Sequence, residues 1–123
     1  DADIICLQEV KAFATQIPPE VRFFMAHYDY IWHQGTRAGY AGTAIFYRKG
    51  LEIEEAKSHF DEQCFHEDGR VTELNFSHQG KSFTLLNCYF PNGNPKADGT
   101  DMLKYKLDFY ECFRGYINTL RKV

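Results

Sequence analysis

At 123 residues, 44% hydrophobic and 25% charged, the chain is long enough for a single domain with one core. A formal net charge of -3 rules out a protein coated in basic residues, although steering follows the local field and leaves room for a basic groove on one face. No apolar stretch nears the ~20 residues of a membrane span, and the start lacks a signal-peptide pattern.

In chain order, Asp3 to Gln8 reads as a strand buried on both faces. Ile17-Pro18-Pro19-Glu20 breaks the chain, and a short helix over Val21 to Phe24 starts at the prolines. Tyr28 to His33, aromatic and β-branched, is a strand. Gly35 to Gly42 is a glycine-rich loop, Thr43 to Arg48 the next strand and Leu51 to Ala56 a short one. Phe60 to Gly69 is an acidic, irregular connection. Arg70 to Ser77 and Lys81 to Phe90 form a hairpin turning at His78-Gln79-Gly80. Pro91 to Asp101 is a Pro/Gly/Asn/Asp loop, and Thr100 or Asp101 caps the helix that follows. That helix carries Leu103, Leu107, Tyr110, Phe113, Ile117 and Leu120 on one face. No internal repeat or linker shows. The expected class is α/β, a mostly β portion with one good helix.

Cys6, Cys64, Cys88 and Cys112 have no CxxC spacing, and the five histidines do not recur at zinc-ligand intervals. A reduced intracellular, cytoplasmic protein is the simplest expectation.

The positions that could carry chemistry gather at strand ends. Alternation along Lys81 to Phe90 puts Asn87 and Tyr89 on one face, followed by the amide-rich turn Pro91-Asn92-Gly93-Asn94. Glu9 ends the first strand. If the two strands ran side by side in one direction, Glu9, Tyr89 and Asn92 would converge on one rim, the usual ligand site of an α/β sheet. Such a set suits phosphate-ester hydrolysis. A hard cation takes one or two carboxylates plus waters and phosphates, and a tyrosine hydroxyl can donate to a developing anion. Taken singly, each has a plainer role: Glu9 as a solvated carboxylate, Asn92 as turn geometry, Tyr89 as packing and Arg70 as an exposed charge at the start of a strand.

The order of the motifs decides between these. Ile4-Ile5-Cys6-Leu7-Gln8-Glu9-Val10-Lys11, Gly39-Tyr40-Ala41-Gly42-Thr43-Ala44, Glu67-Asp68-Gly69-Arg70-Val71 and Asn87-Cys88-Tyr89-Phe90-Pro91-Asn92-Gly93 together resemble the exonuclease III and abasic-site endonuclease family. That family lies within the endonuclease/exonuclease/phosphatase superfamily. The helical segment Leu103 to Tyr110 is also similar to the family's segment at this place. The resemblance implies a four-layer, DNase I-like α/β sandwich and Mg²⁺- or Mn²⁺-dependent hydrolysis of DNA phosphodiesters in base-excision DNA repair. The implied partner is double-stranded DNA with abasic sites or 3′ ends. Glu9 matches the metal-binding glutamate and Tyr89 the active-site tyrosine. Asn92 matches a phosphate-contacting position, and Tyr40, Lys11 and Arg70 match positions on the DNA-binding face.

Some relatives carry an arginine a few residues after the Pro-Asn pair, where this chain has Pro95 followed by Lys96. The family's asparagine strand ahead of Leu-Gln-Glu, its Gly-Asp-x-Asn motif and its terminal Asp-His pair do not occur in these residues. Residues 1–123 are therefore expected to be a partial catalytic domain, an N-terminal half without its first strand, whose remaining half is its first partner. Alone, it is expected to be inactive. The rival readings are an inositol or lipid phosphatase of the same superfamily and a non-catalytic, nucleic-acid-binding remnant.

Overall fold

The computed structural model describes residues 1–58 and 68–122, and the chain divides into two compact units, Asp1–Tyr89 and Phe90–Val123. The expected acidic connection falls largely on residues 59–67 and, with Cys64 and Glu67, lies outside the described residues. The unit boundary falls at Tyr89/Phe90, just ahead of the Pro-rich loop, where the sequence pattern shows no linker. No helix among the described residues is long and apolar enough to cross a membrane.

Among its described residues, the first unit holds six strands in two antiparallel sheets. Strands β1 (Ile4–Gln8), β2 (Tyr28–His33) and β3 (Thr43–Arg48) form one, in the order β1-β3-β2. Strands β4 (Glu52–Lys57), β5 (Val71–His78) and β6 (Lys81–Cys88) form the other, in the order β4-β5-β6. Register fixes what each face carries. Ile5, Phe46 and Tyr30 align across the first sheet, and Cys6, Ile45 and Ile31 align on its opposite face. In the second sheet Leu74 lies opposite Ala56 and Leu85, while Thr72 lies opposite Asn87. Ile45, Ala44, Leu74, Thr43 and Thr72 have no exposed surface, which places the core between the sheets. Polar ties cross it as well. The Asn87 amide donates to the carbonyls of Leu7 and Ala44, both at 2.9 Å, and the Thr43 hydroxyl donates to the Gly69 carbonyl at 3.0 Å.

The β5–β6 hairpin turns at Gln79-Gly80, both at positive φ as a two-residue primed turn requires. Helix α1 (Pro19–Phe24) starts at proline as expected.

The first strand differs from the sequence reading. Among the described residues it is an edge strand paired only to β3, and Cys6, Leu7 and Gln8 are exposed. Leu7, 38% exposed, borders an open apolar groove of about 270 Å³ that Ile5, Val21, Met25, Trp32 and Phe46 also line. A continuous apolar run looks doubly buried because it lacks alternation. Its actual burial depends on which layers cover it.

The second unit consists of the loop from Phe90 and helix α2 (Leu103–Arg121). Asp101 accepts the Leu103 N–H at 2.9 Å, so the expected capping bond forms, one residue ahead of the helix's N-cap Met102. The expected stripe is covered only in its second half: Leu103, Leu107 and Tyr110 are exposed, while Phe113, Ile117 and Leu120 are half-buried. Phe109, outside that stripe, is fully buried, with Tyr105, Cys112 and Tyr116 half-buried beside it. Phe90 packs edge-on against Phe109 at 5.4 Å and against Phe113 at 5.1 Å between ring centroids. Phe90 also lies 5.4 Å from the Tyr110 ring, so its ring touches members of both stripes, and Phe109 is the one that is fully buried.

Candidate active site

The chain leaves β1 through a left-handed pair. Glu9 has φ 54° and Lys11 φ 52°, conformations that cost a non-glycine residue energy and persist only where neighbours hold them. The neighbour here is the glycine-rich loop: Val10 and Lys11 donate their N–H groups to the carbonyls of Gly42 and Ala41, at 3.2 and 3.0 Å. The Glu9 side chain is thereby aimed across the rim of the two sheets.

At that rim the Tyr89 hydroxyl donates to Glu9 Oε1 at 2.7 Å, across a sequence separation of 80 residues. The Lys11 ammonium lies 3.0 Å from Glu9 Oε2. The Tyr89 hydrogen bond, followed by the Lys11 contact, holds the Glu9 carboxyl below its usual pKa, so it is ionised throughout the neutral range. The same bond to Glu9 and partial burial raise the Tyr89 phenol above its ordinary value, keeping it a proton donor. Glu9 and Tyr89 do meet, but through strands of different sheets rather than side by side in one. The carbonyls that Asn87 caps, and a bond from Gln8 Nε2 to the Cys88 carbonyl at 2.6 Å, draw the ends of β1 and β6 together.

Arg70 lies behind the pair. It is 3% exposed, at a position that the resemblance matches to the DNA-binding face. Its guanidinium donates to Asp68 Oδ2 at 3.3 Å, to the Tyr89 carbonyl at 3.1 Å and to the Tyr40 hydroxyl at 2.9 Å. It also lies 5.1 Å from the Tyr89 ring centroid and 5.6 Å from that of Tyr40, within cation–π range. Gly69, at φ 61°, makes this placement feasible: a Cβ there would approach the Gly35 nitrogen to 2.7 Å.

Arg37, which the sequence reading did not single out, stacks its exposed guanidinium 4.2 Å over the Tyr40 ring. Its only signal was a basic residue three positions before the tyrosine of a glycine-rich loop. Asn87 was placed on the correct face, but its bracing role depended on carbonyls that no pattern in β6 reveals. Asn92 belongs to the second unit, where its side-chain carbonyl accepts the Asn94 N–H at 2.8 Å in a local turn. The structure thus brings Glu9, Tyr89, Arg70, Tyr40 and Lys11 into one cluster, with Asn92 in the other unit.

Among the described residues, no group of three or more His, Cys, Asp or Glu side chains could hold a metal ion. Glu9 nevertheless fits as one ligand of a hard cation: it is exposed, ionised and already accepts a positive charge on Oε2.

These features define a mixed α/β protein with two facing antiparallel sheets and a carboxylate–tyrosine pair at their rim. The chain belongs to the endonuclease/exonuclease/phosphatase family, which residues 1–101 match. It is 28% identical over 124 residues to an exodeoxyribonuclease of Bacillus subtilis, a match covering 95% of this chain and 41% of that protein. It is 31% identical over 120 residues to recombination repair protein 1 of Drosophila melanogaster, covering 98% of this chain and 16% of that protein. A crystal structure of the Xenopus laevis APE2 catalytic domain superposes with a TM-score of 0.63 at 23% identity, over 90% of this chain and 43% of that domain, and shows the shared fold. The chain spans less than half the length of these relatives.

Proposed function

We propose that this chain forms part of a divalent-metal-dependent DNA nuclease that incises at abasic sites, trims 3′ ends, or does both. The observation that carries the reading is the 2.7 Å bond from Tyr89 to Glu9, which joins the two residues that the family resemblance assigns to the active site. The names of the relatives, an exodeoxyribonuclease and a recombination repair protein, favour the DNA branch over the phosphatase branch.

In this reading Glu9 would be a ligand of Mg²⁺ or Mn²⁺, and Tyr89 would donate its O–H toward the scissile phosphate. The cation supplies polarisation of a phosphoryl oxygen and orientation of the displacement. Lys11 and Tyr40 face the DNA backbone, with Arg37 beside Tyr40, and Asn92 donates to a phosphate oxygen. Bound phosphate contacts release counterions, so duplex affinity falls as salt rises. A reducing, cytoplasmic compartment suits the thiols of Cys6 and Cys88.

Abasic and 3′-recessed duplexes incubated with the intact protein and Mg²⁺ test the proposal. Cleavage should appear, stop with a chelator, and fall about 100-fold or more in Glu9→Gln and in Tyr89→Phe. Release of phosphate from inositol phosphates with no DNA cleavage would move the protein to the phosphatase branch. The 123-residue chain alone should be inactive, because Glu9 belongs to no group of three or more metal-ligating side chains among the described residues.

A further inference from the structure

Arg70 occupies the position that the resemblance gives to DNA contact, but its surroundings are those of a different role. Its side chain is 4% exposed, next to an Asp68 carboxylate that is 19% exposed. A guanidinium that grips phosphate has to present its fork to solvent. This one is turned into the rim of the sandwich and holds Tyr89 at two places: the Arg70 Nη1 donates to the Tyr89 carbonyl at 3.1 Å, and the cation lies 5.1 Å from the Tyr89 ring centroid. A backbone bond from the Tyr89 N–H to the Arg70 carbonyl, at 2.8 Å, joins the same two residues whatever the side chain at 70. Its other terminal nitrogen ties in the Tyr40 hydroxyl at 2.9 Å. The planar five-donor fork is what allows one side chain to serve these directions at once, which an ammonium could not do.

Resting on the nuclease reading, we infer that Arg70 is a positioning residue: it fixes Tyr89 so that the phenol points at Glu9, and it ties that tyrosine to Tyr40 on the DNA-facing side. Tyr89 sits just past the end of β6, where one backbone bond to Arg70 fixes its main chain and leaves the direction of its side chain open. The burial of Arg70 supplies the restraint. Misplacing a reacting group by about an ångström can cost about 100-fold in rate, so the effect belongs in the chemical step rather than in DNA affinity.

The test compares Arg70→Lys and Arg70→Met in the intact protein by two independent readouts. The first is the NOE between Tyr89 ring protons and Glu9 side-chain protons, which needs no activity. It should be present in the native protein and lost or weakened in both variants; an NOE that persists in both overturns the inference. The second is the kinetic split on an abasic duplex. Both variants should lower kcat by up to about 100-fold while KM and the salt dependence of duplex binding hold. A raised KM at unchanged kcat, with the salt slope reduced by about 0.9, would instead make Arg70 a phosphate contact and overturn the inference. Arg70→Lys keeps the buried charge, so it and Tyr40→Phe carry the test if Arg70→Met loses its dispersed amide spectrum. A native protein that cleaves no DNA brings down the nuclease reading alone, and the NOE still decides the role of Arg70.

Discussion

The two units of this chain bury different things. The sandwich unit buries apolar residues such as Ile45, Phe46 and Leu74 together with Arg70, Glu73, Asn87 and Thr43. The helical unit buries Phe109 and leaves Leu103 and Leu107 more than half exposed. A buried polar group has to be hydrogen-bonded, and each such bond fixes a direction. The sandwich therefore holds side chains in defined orientations at its rim, and the candidate site lies there. The helical unit is organised by the packing of Phe90 on Phe109 and Phe113, which orients rings and not polar groups.

The core contrast should give the largest effects. Leu74→Ala and Phe109→Ala, both fully buried, should each cost about 3 kcal/mol or more in urea unfolding. Leu107→Ala, 55% exposed, should stay within about 0.5 kcal/mol. A large loss at Leu107 would mean that the expected stripe, not the Phe109 stripe, is the packed one.

The polar contrast comes next. Asn87→Ala removes the amide that serves two buried carbonyls and should destabilise the chain by about 1–3 kcal/mol, with faster hydrogen exchange at the end of β1. Unchanged exchange there would show that the two sheets are held at this rim without it.

A smaller gain is expected at the hairpin. Gln79 sits at φ 50° beside Gly80, where asparagine suits the left-handed conformation better, so Gln79→Asn should raise stability by a few tenths of a kcal/mol, roughly 0.5. A fall in Tm would argue for a different turn.

Titration should sharpen the picture of the rim with little change in stability. The raised Tyr89 value means that its bond to Glu9 is complete below the ordinary tyrosine pKa of about 10 and is lost as pH rises through the folded value. The lowered Glu9 value means that the contact is complete above the ordinary glutamate pKa of about 4.3 and is lost as pH falls through the folded value. Between these limits the pair should be insensitive to pH. Glu9→Gln should bring the Tyr89 ionisation, followed by ultraviolet absorbance, back toward that of an ordinary tyrosine. Cys88, its thiol pushed by burial up to about 12, should resist thiol reagents at neutral pH in the folded protein.

By itself, the sequence determined the local elements. Alternating and apolar runs, prolines and turn residues located β2, β3, the β5–β6 hairpin and α2 to within a residue or two, because backbone sterics and side-chain period act over a few neighbours. Motif order pointed to the family, and the family match over residues 1–101 agrees with that resemblance; Glu9 and Tyr89 are the pair the resemblance nominates. Tertiary structure alone decided which strands share a sheet, which helix stripe is buried, and that Arg70 faces inward. Each of these depends on what covers a residue from far along the chain. The Tyr89–Glu9 bond shows the division plainly: local pattern placed both residues at strand ends, and only the closing of one sheet over the other set their oxygens 2.7 Å apart.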